Sequence, residues 1–488
     1  MNPISQYSNQ SEKNDKMKKL ITIVLLCAYV SAIYGQAKKT RVRVEVSPLK
    51  VDSMWVNVYE GKTEPKILKP DANGTFTFST IVEKGTDARI SIDNPISGEV
   101  HLYLEPEDDL LIRTDFKENT IFSGKGGGNS SVINELMNMY RTNYGKLDVT
   151  KTSLAIFYEQ IAEVNKANTD FLDANRSRVS KEFYEDQKVQ FYYGALGEDI
   201  QMPYLLSLGL KKKLSEVFPS GYIDMFKKMK LSDSLLIHKG YTNFVKDYLP
   251  AYLRICRMYQ LGRLDSVSTQ PETEKRAMEY EQVKEHLTGQ SRIMALFGII
   301  NNTLQRAKNV TQYKGYIQQF AADGGSQQQV DELQRAYDEA LKLSAGAVPP
   351  PFTLDDLNGK QVSLQDFAGK VIYIDFWASW CSPCRYEMKN GSPKLHARLA
   401  DNKDVVFLYI SIDDSEEKWR QAIQEDKIEG IHLLSKGGMK SVVAKAFNIS
   451  GIPRYVIIGR DGRIVDKDAT RPSQDITYDK IMDAVKAK

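Results

Sequence analysis

The chain has 488 residues, 42% of them hydrophobic and 26% charged, with a formal net charge of +3. That length exceeds one ordinary core and points to about three domains, while the composition is that of a globular protein. The charge is spread without a basic block, which argues against nucleic acid or an anionic membrane surface as a partner.

Residues 1–37 read as a targeting segment. Lys16, Lys18 and Lys19 precede an apolar stretch, Leu20 to Tyr34, that runs into the small residues Ser31, Ala32, Gly35 and Ala37. This is the layout of a secretory signal peptide, with cleavage expected after Gly35 or Ala37. Met17 stands where such a peptide would start, so residues 1–16 read as an over-extended gene start. The apolar run is shorter than the ~20 residues of a membrane span, which ranks an uncleaved anchor lower. Lipidation at Cys27 also ranks lower, because bulky Leu26 precedes it. Export leaves Cys256, Cys381 and Cys384 in an oxidising compartment, an odd set that forms no disulfide framework.

Residues 38–122 read as a small antiparallel β domain. Arg41 to Val46 and Met54 to Tyr59 alternate, Asn73-Gly74 before T-F-T-F predicts a hairpin, and Ala88 to Asp93 and Val100 to Leu104 continue the pattern. The glycine-rich stretch 123–131 fails both phosphate-loop patterns. Gly126 follows Lys125 where Ser or Thr is needed, and Asn129 replaces the third glycine of a dinucleotide fingerprint. A flexible inter-domain linker is the expectation. Residues 132–343 are rich in helix formers, punctuated by Pro203, Pro219 and Pro250, and read as an all-α domain. Phe157, Tyr158, Tyr184, Tyr192 and Tyr193 could line a peptide groove, but helix core with hydroxyls at the rim is the commoner use of such a stripe. Cys256, within Y-L-R-I-C-R-M-Y, reads as a buried helix thiol.

The proline-rich stretch 344–351 is expected to hold residues 352–488 away from the helices without firm docking. Beyond it the pattern alternates: a buried strand Val371 to Trp377, a helix Arg385 to Ala400, a strand Val405 to Ile412, a helix Glu416 to Glu425, and a hairpin around Asp461-Gly462. This is an α/β domain, a mixed sheet flanked by helices.

Residues 375–384 read D-F-W-A-S-W-C-S-P-C, and three roles compete for the two cysteines. Zinc would need a closing ligand pair, but after Cys381, Cys384 and His396 the next histidine is His432, and no second CxxC exists. A structural bridge between residues this close removes little entropy from the unfolded chain. Redox exchange fits better. Cys381 would stand at a strand end and helix start, where unpaired N–H groups and the helix dipole favour a thiolate. Pro383 suits the first helical turn, and Cys384, one turn on, can attack a mixed disulfide. Cys381 is therefore read as the nucleophile and Cys384 as the resolving thiol of a Cys381–Cys384 redox-active disulfide. Asp375, the one ionisable residue of V-I-Y-I-D-F-W, should have a raised pKa and accept the Cys384 proton, with a structural carboxylate as the competing role. Trp377 and Trp380 should pack around the motif, Trp380 being the more exposed.

This decapeptide, with G-I-P about seventy residues later, resembles the thioredoxin superfamily, and V-P-P-P-F-T-L-D-D-L-N-G-K resembles the opening of exported TlpA/ResA-like thiol–disulfide oxidoreductases. The resemblance covers residues from about Pro350 to Lys488. It implies a thioredoxin-like fold, a cis-Pro453 facing the dithiol, and Ile452 backbone groups that bind a substrate peptide. Arg454, where relatives have a small polar residue, would favour acidic partners or stand as a solvated cation. Trp380 and Pro383 complete the expected substrate surface. The peroxidase branch of the superfamily is excluded, because its proline and threonine positions hold Ile374 and Ala378. No cofactor or metal is expected, and the resemblance further favours a reductase, which with the export signal reads as periplasmic. Its partners would be exported protein thiols and disulfides, such as apocytochromes in cytochrome c biogenesis, and a membrane electron donor that recharges the dithiol. The upstream domains resemble, more weakly, extensions that recruit partners or tether such enzymes. The competing class is a ligand-binding or redox-sensing protein whose dithiol only reports redox state.

Overall fold

The computed structural model describes residues 39–59, 66–92, 96, 98–148 and 152–487. The expected signal segment, residues 1–37, lies outside them. The chain divides into two compact units, residues 1–230 with 234–244, and residues 231–233 with 245–488. The helices expected as one domain over 132–343 are thus shared between the units.

The first unit holds two four-stranded sheets, ordered β4-β1-β7-β8 and β3-β2-β5-β6. Their strands are β1 (Thr40–Val46), β2 (Met54–Val58), β3 (Lys66–Leu68), β4 (Thr75–Thr80), β5 (Thr86–Ile92), β6 (Gly98–Leu104), β7 (Asp109–Thr114) and β8 (Thr120–Lys125). Alternating residues of both sheets, among them Val42, Val44, Phe78, Val56, Ile90 and Leu102, bury one shared core, which makes the region a β-sandwich. Two expectations change. β1 and β7 run parallel, so the domain is not wholly antiparallel. The Asn73-Gly74 turn forms, with Gly74 at φ +79° and the Asp71 carboxylate accepting from the Asn73 and Thr75 amides. However, it joins β3 of one sheet to β4 of the other, so it closes no hairpin.

The glycine-rich stretch 123–131 is not a flexible linker. It finishes β8 and begins helix α1 (Gly127–Tyr144). Gly126 lies at φ +88° against Asp108, and a Cβ on Gly128 would meet the Arg178 carbonyl, so glycine here serves close packing. Asn134 and Ser130 of α1 bond the backbone of His101 and Tyr103, which covers the open edge of β6. Helices α2 (Leu154–Ala174) and α3 (Lys181–Leu210) follow, capped by the Ser153 and Ser180 side chains. α3 runs through Pro203 rather than stopping at it, giving up only the bond from that position to the Asp199 carbonyl. Phe157 and Tyr193 are core, while Tyr192 is exposed with its hydroxyl donating to the Lys228 carbonyl.

The second unit begins with α4 (Leu249–Gln260), α5 (Glu272–His286), α6 (Gly289–Arg306), α7 (Lys314–Ala322) and α8 (Gln327–Leu341). The expected spacer after α8 is docked. The Gly346 amide donates to the Ile464 carbonyl at 2.7 Å, and the Ile464 amide donates to that of Ala347 at 2.9 Å. Leu343 is buried in the core of the sheet that follows. The reason is an available sheet edge, whose unpaired backbone groups take up the passing chain.

That sheet has seven strands, ordered β10-β9-β13-β12-β11-β14-β15. They are β9 (Thr353–Asp356), β10 (Gln361–Ser363), β11 (Val371–Trp377), β12 (Val405–Ser411), β13 (Ile431–Leu434), β14 (Arg454–Ile458) and β15 (Ile464–Asp466). β11 lies central, parallel to β12 and antiparallel to β14, and every one of its residues is buried. The helix expected over Arg385 to Ala400 is two: α9 (Ser382–Asn390) and α10 (Ser392–Leu399), broken where Gly391 and Pro393 meet. α11 (Glu416–Asp426) and α12 (Val442–Ala446) pack on the face of Ile372, Ile374 and Phe376. α10 and α13 (Asp475–Lys486) pack on that of Val371 and Tyr373.

Candidate active site

β11 delivers the chain to the dithiol. After Trp377, the turn at residues 378–380 is held by Asp413, which is buried and accepts from the Ser379 amide at 2.8 Å and the Ser379 hydroxyl at 2.7 Å. Cys381 then occupies the N-cap of α9, where its Sγ accepts from the Cys384 amide at 3.2 Å. A donor at the positive end of a helix stabilises charge on that sulfur. Cys381 and Cys384 are disulfide-bonded with Cα atoms 5.3 Å apart, and both are buried. Pro383 sits exposed in the first turn. Trp380 is 61% exposed beside the sulfurs, whereas Trp377 is fully buried.

α9 is anchored on both sides. Arg385 forks onto Asp426 of α11, with Nη2 to Oδ1 at 2.7 Å, and reaches Glu425 at 3.0 Å. On the other side Glu387, itself buried, accepts from the Ser473 amide at 3.1 Å and the Ser473 hydroxyl at 2.9 Å. Such a bidentate clamp fixes the helix whose first turn carries the chemistry.

Asp375, two residues before the end of β11, is 1% exposed, with neither carboxylate oxygen hydrogen-bonded. Burial, and then the nearby Glu387 carboxylate, push its pKa well above the usual carboxylate range. Opposite the dithiol strand, the Ile452–Pro453 peptide is cis, and Arg454 of β14 pairs in register with Phe376. Ile452 and Pro453 are half-buried at the same end of the sheet as the dithiol turn. Arg454 is not a free cation: Nε donates to the Lys467 carbonyl at 3.1 Å, and the guanidinium lies 3.4 Å from Asp468. His396, weighed as a third zinc ligand, faces Tyr409 instead, 3.0 Å from its hydroxyl. Among the described residues no group of three or more His, Cys, Asp or Glu side chains is placed to hold a metal.

The structure thus brings Cys381, Cys384, Asp375 and Trp380 to one end of β11 and α9. Glu387 and Asp413 went unread in the sequence. The first had a signal, since it lies three residues past Cys384 and shares its helix face. The second ends the apolar run of β12 much as Asp375 interrupts that of β11.

The family model described as Redoxin matches residues 344–485. The thioredoxin-like protein YneN of Bacillus subtilis is 33% identical over 125 residues, which are 25% of this chain and 71% of the relative. The chain belongs to the thioredoxin superfamily. Within this superfamily it is also similar to the thiol–disulfide oxidoreductase ResA of Bacillus thuringiensis, at 26% identity over 26% of this chain and 70% of ResA. The crystallised thioredoxin domain of a thiol–disulfide oxidoreductase from Bacteroides vulgatus is 34% identical, over 29% of this chain and 99% of its own, at a TM-score of 0.27. The family model and the curated relatives support a TlpA/ResA-like character for the thioredoxin-like domain.

Proposed function

We propose that this thiol–disulfide oxidoreductase works as a reductase on exported proteins, with Cys381 as nucleophile and Cys384 as resolving thiol. The observation that carries the reading is the Cys384 amide aimed at Cys381 Sγ on the N-terminus of α9, which follows a strand carrying a buried, unpartnered carboxylate. In the reduced protein the Cys381 thiolate attacks a client disulfide, forming a mixed disulfide and releasing one client thiolate. Asp375 then takes the Cys384 thiol proton. The resulting thiolate attacks Cys381 Sγ, releases the second client thiolate and leaves the protein oxidised by two electrons. The raised proton affinity of Asp375 brings it closer to that of a thiol, which favours such a transfer. Trp380, Pro383, Ile452 and Pro453 form the surface a client segment would meet. Arg454, already matched by Asp468, shapes that surface more than it charges it.

The export signal read in residues 1–37 supports a periplasmic site. There a membrane electron donor would return the dithiol to its reduced form. No helix among the described residues is long and apolar enough to cross a membrane.

Insulin reduction tests the activity. Wild type should precipitate insulin, Cys381→Ser should not, and Cys384→Ser should accumulate a covalent mixed disulfide. Equal turnover by wild type and Cys381→Ser ends the reading. Direction follows from the reduction potential: a value near the about −270 mV of thioredoxin supports a reductase, and one near about −120 mV supports an oxidant.

A further inference from the structure

One register rung crosses four strands under the dithiol. Tyr455 of β14 pairs with Asp375 of β11, Asp375 with Tyr409 of β12, and Tyr409 with His432 of β13. Side chains of one rung share a sheet face, so a line of polar residues lies within an otherwise apolar layer. Asp375 at its centre, only 1% exposed, has next to no surface through which to exchange a proton. Its neighbours differ in where they lead. The Tyr455 hydroxyl is buried without a partner. Tyr373, two residues back, donates to the Thr470 carbonyl at 2.7 Å. Glu387 from α9 is held by Ser473, with Arg471 3.8 Å away. His432 stacks on Tyr409 and spends Nε2 on the Ile428 carbonyl.

Tyr409 leads outward. Its hydroxyl is 3.0 Å from Nε2 of His396 on α10, and both residues line a cavity of about 620 Å³ whose wall also carries Met388 and Ser392. The exposed residues Lys403, Lys427 and Glu429 stand at its mouth. We propose that Tyr409 and His396, with the cavity they line, form the route by which the Asp375 proton reaches solvent. The inference rests on the reading of Asp375 as the acceptor for Cys384. The Cβ atoms of paired residues on neighbouring strands stand ~5 Å apart. The Tyr409 oxygen reaches further from the sheet than the unpartnered Asp375 carboxylate, so the transfer between them runs through bridging water. The protonated Asp375 gives its proton toward the Tyr409 oxygen while the Tyr409 hydroxyl proton passes to His396 Nε2. His396 then releases a proton into the cavity, and Asp375 returns to the carboxylate. Burial holds the His396 imidazole below its usual pKa, so it is neutral at pH 7, able to accept and not to retain.

Tyr409 and His396 are positioning residues, since neither touches a sulfur in this scheme. The test is the reaction of the reduced protein with Ellman's reagent. The first thionitrobenzoate reports attack by Cys381, and the second reports resolution by Cys384. Asp375 must shed the proton its raised affinity holds before it can accept that of Cys384, so Tyr409→Phe and His396→Ala should leave the first release unchanged and slow the second on the order of tenfold near pH 7. Imidazole in the buffer should restore His396→Ala, a rescue that a merely structural role would not give. Asp375→Asn combined with Tyr409→Phe should be no slower than Asp375→Asn alone. If both single variants resolve at the wild-type rate, or imidazole restores nothing, the route is overturned. A wild-type rate in Asp375→Asn would instead remove the acceptor reading on which it rests. Thermal melts check that each variant folds, and if Tyr409→Phe does not, His396→Ala with imidazole decides.

Discussion

Burying Asp375 costs the native state stability at neutral pH. Burial raises its folded pKa above the ordinary 3.8. From about pH 4 up to the raised value, the native state therefore holds a proton that the unfolded state has lost. Stability falls as pH rises through that window. Asparagine cannot ionise and lacks this slope. Asp375→Asn should accordingly melt higher than wild type at pH 7, in the same redox state, with the difference shrinking toward pH 3. An equal difference at both pH values would contradict the account. Cys256 is a free, half-buried thiol on α4. Burial pushes it up to about 11, against a weaker pull from the Tyr252 hydroxyl. In reduced protein at pH 7, iodoacetamide should label Cys381 and leave Cys256 untouched, as read by peptide mass spectrometry. Asp375 was legible in sequence as the lone charge of an apolar run, whereas Cys256 lies in the expected helix but is half-buried rather than buried.

At the scale of elements, the junction of α9 and α10 is held by close packing at Gly391. A Cβ on Gly391 would lie 2.6 Å from Glu387 Oε2 and 2.7 Å from the Ser473 amide. Gly391 has a negative φ, so the constraint is space rather than backbone conformation. Gly391→Ala should force Glu387 off Ser473 and cost about 1–3 kcal/mol, measured by urea unfolding. A loss of under a few tenths would show that the clamp adjusts freely. Strand and helix periods announced β11, β12, α11 and the β14–β15 hairpin, because each buries a continuous or periodic apolar face. They did not announce the α9–α10 break or the course of α3 through Pro203. Both depend on which neighbours pack against the helix, and one proline supplies only a local preference.

Within the second unit, the segment 344–347 and the helix that ends at Arg306 meet the redox domain at β15. Buried Asp466 is flanked by Lys308, with which it is ion-paired, and by Lys480 at 3.2 Å. Asp466→Asn should lower stability by about 1–3 kcal/mol, through loss of charge-assisted bonds. It should also speed amide exchange at Gly346 and Ile464 more than in β11. Unchanged exchange at those amides would show that backbone pairing alone holds the segment. The expected free spacer was misread because prolines in a sequence show stiffness, while a waiting sheet edge is visible only once the sheet exists.

Pattern and spacing pointed to thiol–disulfide chemistry. Two cysteines separated by two residues, a proline between them and one aspartate in a buried strand each have a local physical meaning that needs no partner. The division of the helices between two units and the β-sandwich crossover at Asn73-Gly74 needed the tertiary structure. So did the Glu387 and Asp413 anchors and the rung Tyr455–Asp375–Tyr409–His432. These features join residues far apart in the chain, and strand order and register, which local propensity does not encode, decide which side chains meet.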